Sequence, residues 1–300
     1  MKIIYLLILT SLLISSCNSG LDEKLIADND DFEENSNTSI SNSNHQKIVK
    51  KIFYNVPSPL EISSLLKSIG AEYNPTYLHS YKKANSYTTT RSMALNLGVY
   101  GADLSYNRLY NQTQASVNYF VAVKTLSDNL NIPEEQGGNT AERLESNLEN
   151  KDSLLIIISQ TYSNADEYLK ESEKGNLAAL IIFAGWIEAL HIGIQIAEDS
   201  EENYYTIINN IAEQKFSLNN LIHLLNVYNN DDDIIPYINK LEELKIAYDK
   251  VEINYTRSKI STNNDKGIMT IENKSSIIIS NETFDEIKVI IKNVRARIIL

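Results

Sequence analysis

Between Leu177 and Ala197 nearly every position is apolar, interrupted only by Glu188, His191 and Gln195 in its middle and later turns. A helix greasy on all faces must be surrounded, either by other helices or by lipid. Twenty-one residues are enough to span a bilayer, but a carboxylate and an imidazole near the middle of hydrocarbon would each be costly. The stretch therefore reads as the central helix of a water-soluble bundle, and it predicts an all-α fold built around it.

The rest of the chain supplies its neighbours. Ser58-Pro59-Leu60-Glu61 gives an N-cap, a proline in the first turn and a capping-box glutamate, with Ile62, Leu65, Leu66 and Ile69 as the apolar face before Gly70. A second helix is expected from about Thr88 to Asn111, with Met93, Leu97, Tyr100 and Leu104 on one stripe. Gly98, Gly101, Ala102 and Ser105 form a small-residue seam beside them. Mid-helix glycine costs about 1 kcal/mol relative to alanine, so the seam predicts a closely approaching backbone. Further helices are expected over 112–130, 140–148, 152–175, 202–215 and 218–228, with Asn176 capping the central helix and Ser217 capping the last of these.

From Asp233, Leu241, Leu244, Tyr248, Val251 and Tyr255 alternate by three and four, which predicts one long helix reaching Tyr255. The pattern lapses over 261–280. There Ile268 to Ile271 and Ile277 to Ile279 could pair across Asn273-Lys274-Ser275 as a small β-hairpin near 268–279. A last helix starts near Asn281 and uses Phe284, Ile287, Ile291, Val294 and Ile298. Its Lys288, Lys292, Arg295 and Arg297 fall in later turns, where the helix dipole accounts for them without a basic recognition site. The count expected is about eight or nine helices.

The amino-terminal end has a different character. Lys2 precedes an apolar core from Ile3 to Ile14, and Ser15-Ser16 supplies small residues before Cys17, which makes residues 1–16 read as a signal peptide. Ile14-Ser15-Ser16-Cys17 resembles the lipobox of bacterial lipoproteins. That resemblance implies lipid attachment at Cys17 and cleavage just before it. Residues 17–46 are Asn, Ser, Asp and Glu with scattered single apolars, a lipidated tether with a reach of about 30 Å as a flexible coil. Residues 47–300 read as a single helical domain.

Cys17 is the only cysteine, so disulfides, a thiol nucleophile and cysteine-based metal sites are not expected in the domain. The formal net charge of -12, with Lys2 lost in the leader, repels phosphate backbones and anionic head groups. Nucleic acid is not an expected partner, and only the lipid should hold the protein to a membrane. The 18 tyrosines accompany abundant Asn, Ile and Lys, a composition that AT-rich coding produces, and are not taken as a binding surface.

Three stretches carry a further resemblance. Phe53-Tyr54-Asn55-Val56-Pro57-Ser58-Pro59-Leu60-Glu61, then Ala94-Leu95-Asn96-Leu97-Gly98-Val99-Tyr100-Gly101-Ala102-Asp103-Leu104-Ser105-Tyr106, and Gly185-Trp186-Ile187-Glu188 resemble a family of uncharacterised Bacteroidetes envelope lipoproteins. The likeness covers roughly residues 50 to 260. It implies an outer-membrane lipoprotein, facing the periplasm or the cell surface, with a helical domain, and it brings no activity with it. The early acidic pair Asp22-Glu23 resembles the surface-export signals of such proteins.

Chemistry-bearing residues are few. Glu188 and His191 share one face of the central helix, with Gln195 continuing it. An E-x-x-H pair is half of a di-iron arrangement, but a second pair is missing: His223 has Asn220 three residues before it. A zinc site would need a third ligand that His45 and His79 do not supply, and no metal or cofactor is expected. The plainer reading is a hydrogen-bonded polar stripe in or beside the core.

Asn96, Asp103 and Asn107 either line a cavity with Tyr100 or pin a neighbouring loop, and pinning is favoured. A buried Asp103 would need a donor such as Arg91 or Arg108 to stay charged. Nucleophile-elbow, phosphate-loop and zinc-protease motifs are absent from the sequence. The expectation is a non-enzymatic binding or scaffold protein with an envelope partner. The alternative is a lipoprotein that takes a glycan, lipid or peptide in a pocket of Tyr100, Asp103, Trp186, Glu188 and His191, and a hydrolase with a carboxylate pair is the weaker third.

Overall fold

The computed structural model describes residues 71–133, 174–255, 259–263, 268–272 and 275–300, with scattered positions between 142 and 157. The expected leader, tether and first helix, and most of the two helices expected over 140–175, lie outside the described residues. All described residues belong to one compact unit. They form a mostly helical fold of seven α-helices with a small antiparallel β element, so the all-α expectation holds.

The helices are α1 (Thr90–Leu109), α2 (Thr113–Asn129), α3 (Gly175–Asp199), α4 (Tyr204–Glu213), α5 (Lys215–Asn226), α6 (Ile235–Asp249) and α7 (Asn281–Ile298). Two short 3-10 segments, Pro75–Tyr77 and Tyr81–Ser86, precede α1. The strands are β1 (Glu252–Tyr255), β2 (Lys259–Asn263), β3 (Ile268–Glu272) and β4 (Ser275–Ile278).

α3 is the apolar helix of the sequence and is wrapped by protein, with Phe183, Trp186, Ile187, Leu190 and Ile194 fully buried. It shares the centre with α1, which is buried continuously from Ala94 to Asn107. Thr89 starts α1 in a reciprocal capping box with Ser92. The α1–α3 pair is the most extensive among the described elements. At its crossing a Cβ on Gly98 would lie 2.1 Å from the Ile181 carbonyl oxygen and 2.9 Å from the Gly185 nitrogen. The expected close backbone is therefore found at Gly98, and it belongs to α3.

α2 packs on α1, whereas α4, α5 and α7 pack on α3, and α6 bridges α5 and α7. Lys174 ties the end of α2 to the start of α3, its Nζ donating to the Leu130 and Asn131 carbonyls at 3.2 and 2.8 Å. Asn176 is inside the first turn of α3, where its Oδ1 accepts from the Leu177 N–H at 2.8 Å and its Nδ2 donates to Asp231 at 2.9 Å. The N-cap position is occupied by Lys174 instead. Ser217 likewise is no cap. α4 and α5 abut at Gln214, so Ser217 is buried one turn inside α5.

Two expectations near the carboxyl end are corrected. The helix beginning after Asp233 stops at Asp249. Glu252, Ile253 and Asn254 alternate in burial with period two, and the segment pairs as β1. Cross-strand packing of Ile253 against Ile277 wins over helical continuation. A small antiparallel β element does occupy the region of 268–279, but the two arms expected to form a hairpin do not pair with each other. β3 pairs with β2 (Ile268 opposite Asn263), and β4 pairs with β1 (Ser275 opposite Tyr255), so the ribbon doubles back between β2 and β3.

Candidate functional site: a buried carboxylate pair and its arginine

Glu188 lies at the middle of α3 with no exposed surface. Placing one carboxylate there requires a cation, and α7 supplies it. Arg295 donates through Nε to Glu188 Oε2 at 2.6 Å and through Nη2 to Oε1 at 2.7 Å, the two-pronged geometry that suits guanidinium to carboxylate. The Arg295 side chain is only 14% exposed. The helix dipole is thus not the reason for this residue. Arg295 lies four residues after Ile291 and three before Ile298, on the buried stripe of α7, and that position was the available signal.

Asp103, from α1, is the second buried carboxylate, also with no exposed surface. Its Oδ2 accepts from the His79 backbone N–H at 3.1 Å. Its carboxyl and that of Glu188 are close enough to perturb each other. Neighbouring buried carboxylates disfavour each other's charged form. Burial, then the Glu188 charge, pushes Asp103 well above the usual carboxylate range, with Arg295 opposing. For Glu188 burial pushes upward too, but the guanidinium holds against it. Of the two, Asp103 is therefore the carboxyl that holds a proton more readily. The cation beside Asp103 is Arg295 and not Arg91, which pairs with Asp233 at 2.9 Å.

Around this trio the segment 71–87 is strapped across α1 by side chains bonding its backbone. Tyr119 donates to the His79 carbonyl at 2.8 Å, Tyr100 to the Ser80 carbonyl at 3.0 Å and Tyr110 to the Ala71 carbonyl at 2.8 Å. The Asn74 N–H donates to the Tyr106 hydroxyl at 3.0 Å, and Tyr73 donates to Asn107 at 2.7 Å. Asn96 reaches the other way and donates to the Ile298 carbonyl at the end of α7, at 2.9 Å. Asn96, Asp103 and Asn107 thus all fasten neighbouring segments to α1. The tyrosines, discounted in sequence as a compositional by-product, do much of the fastening.

His79 shares a 2.7 Å hydrogen bond with Tyr87 and stacks on Tyr100 at 5.5 Å between centroids. Burial, with Arg295 and Lys83 adding to it, lowers its pKa to about 4. For His191, burial followed by Arg295 lowers the pKa to about 3. Both rings are neutral at pH 7. Lys288 and Lys292 of α7 pair with Glu198 at 3.4 and 2.8 Å, extending the α3–α7 seam to the surface.

Of the residues expected to line a pocket, Asp103, Glu188 and Tyr100 belong to this network, with His191 a turn further along α3. Trp186 is buried two residues from Glu188, on another face of α3. None of the five lines either of two surface clefts, one between α6 and α7 and one between residues 71–77 and the end of α3. Among the described residues no three His, Cys, Asp or Glu side chains converge as metal ligands would. Comparison with protein families, with curated sequences and with solved structures returns no match.

Proposed function

We propose that this chain is a lipoprotein of a bacterial outer membrane, anchored through Cys17, whose helical domain binds or organises an envelope partner and catalyses no reaction. The observation that carries the reading is that its most reactive groups are spent on each other. Asp103 and Glu188 are fully buried, and Arg295 holds Glu188 with both prongs. A carboxylate pair meant for hydrolysis must meet solvent and substrate in an open cleft. Here it joins α1, α3 and α7 and stabilises the fold as one body.

The ligand-binding alternative places a glycan, lipid or peptide between α1 and α3. Backbone contact at Gly98 leaves little room there. The reading is tested by purifying the native protein from detergent-solubilised membranes. A stoichiometric partner protein is expected to accompany it. If the protein emerges alone and is stabilised thermally by a glycan or lipid panel, the ligand-binding reading replaces it.

A further inference from the structure

On the side of the molecule formed by α6 and α7, the two helices leave an open groove of about 680 Å³. Its floor is aliphatic: Ile246 and Ala247 from α6, Val289 and Ile290 from α7. Ile246 is 66% exposed and Val289 54%, high values for branched aliphatic side chains set beside one another. The rim is of one sign, with Glu243 on α6 and Glu282, Asp285 and Glu286 on α7, and no basic residue among those lining it. The α7 members are spaced 282, 285, 286, 289 and 290, one helical face followed for about 12 Å.

Lys240, Lys250 and Lys288 pair with Glu243, Glu286 and Asp285 from outside the groove. Exposed pairs of this kind are weak and exchange readily for a partner's cations.

We propose that this groove docks a basic amphipathic helix of a partner protein, a proposal that rests on the partner-binding reading above. Aliphatic side chains at i, i+3 or i+4 and i+7 of the incoming helix seat on Ile246, Ala247, Val289 and Ile290. Lysine or arginine on its flanks faces Glu243, Glu282, Asp285 and Glu286. The rim repels an anionic lipid surface. It would also face itself across a two-fold axis if a second copy of this chain docked there.

The probe is a short synthetic helix with leucine at those spacings and lysine on both flanks, compared with its twin carrying glutamate for lysine. Binding to the detergent-solubilised protein is read by fluorescence anisotropy at two salt concentrations. The lysine helix is expected to bind and the glutamate twin not. Ile246→Gln with Val289→Gln, both exposed changes, should weaken binding about tenfold. Glu282→Gln, Asp285→Asn and Glu286→Gln together should weaken it severalfold and flatten its salt dependence.

Equal binding to wild type and groove variants overturns the proposal. So does a sedimenting dimer that Ile246→Gln dissolves, or vesicle binding lost with the same change. A native partner that still co-purifies with the Ile246→Gln, Val289→Gln protein defeats the groove and leaves the partner-binding reading standing. Absence of any partner from the wild type defeats that reading itself.

Discussion

Arg295 is the cation on which two carboxylates from different helices depend. Replacing it by methionine leaves Glu188 charged and unpaired in the core, at a cost of about 3–5 kcal/mol in urea unfolding. Asp103→Asn keeps a donor toward Glu188 and an acceptor for the His79 N–H, so it should cost only about 1 kcal/mol. An Asp103→Asn loss as large as that of Arg295→Met would show that Asp103 is not the more readily protonated of the two.

The two histidines add a pH dependence of known sign. Their folded pKa values, about 4 for His79 and about 3 for His191, lie below the unfolded value of 6.5. Their contribution is present above pH 6.5 and is lost as pH falls toward 4 and 3, because the unfolded chain binds protons the folded one refuses. Asp103, raised by burial, works the other way and loses its contribution as pH rises through its folded pKa. The histidine part is therefore read as a difference. The fall in melting temperature between pH 7 and pH 4 should be smaller in the His79→Gln, His191→Gln protein than in wild type. Sequence showed that Glu188 and His191 share a face, because helical spacing is local. It could place Arg295 on the buried stripe of the last helix but not show that it meets Glu188, 107 positions away.

Among the elements, α1 and α3 set the geometry for all the others, and the contact between them leaves no space for a side chain. Gly98→Ala puts a methyl 2.1 Å from a backbone oxygen, which no rotamer change relieves. It should cost about 1–3 kcal/mol or more by prising the pair apart, and a melting curve is the measurement. The seam of Gly98, Gly101, Ala102 and Ser105 on α1 was legible because small residues in a helix need a reason, but that its partner is α3 was not. Helix ends were less legible wherever two local preferences competed. Tyr255 fits the helical spacing of α6 and also the alternation of β1, and the matter is decided by β4, twenty residues further on. The β3 partner was misjudged for the same reason. Local pattern identifies a strand, whereas its neighbour is chosen by the ribbon as a whole.

At the scale of the whole molecule, charge and anchorage make separate demands. A chain of net charge -12 has no electrostatic attraction to an anionic bilayer, so on the lipoprotein reading proposed above membrane retention would rest on Cys17 alone. Cys17→Ser should move the protein from the membrane fraction to the soluble one while the melting temperature of the domain stays unchanged. Retention of the serine variant in membranes would remove the lipoprotein reading. The mostly helical class of the described residues was readable from periodicity, but the strap over residues 71–87 was not, since its order comes largely from tyrosines on other elements.

The placement of Arg295 in the final helix has a bearing on synthesis. A polypeptide appears amino end first, so Asp103 and Glu188 exist long before the residue that neutralises them. Until α7 arrives, neither acid can be dehydrated cheaply, and the centre stays open to solvent and to proteases. A premature stop anywhere ahead of Arg295 would therefore yield a product marked for degradation by its own unanswered charge.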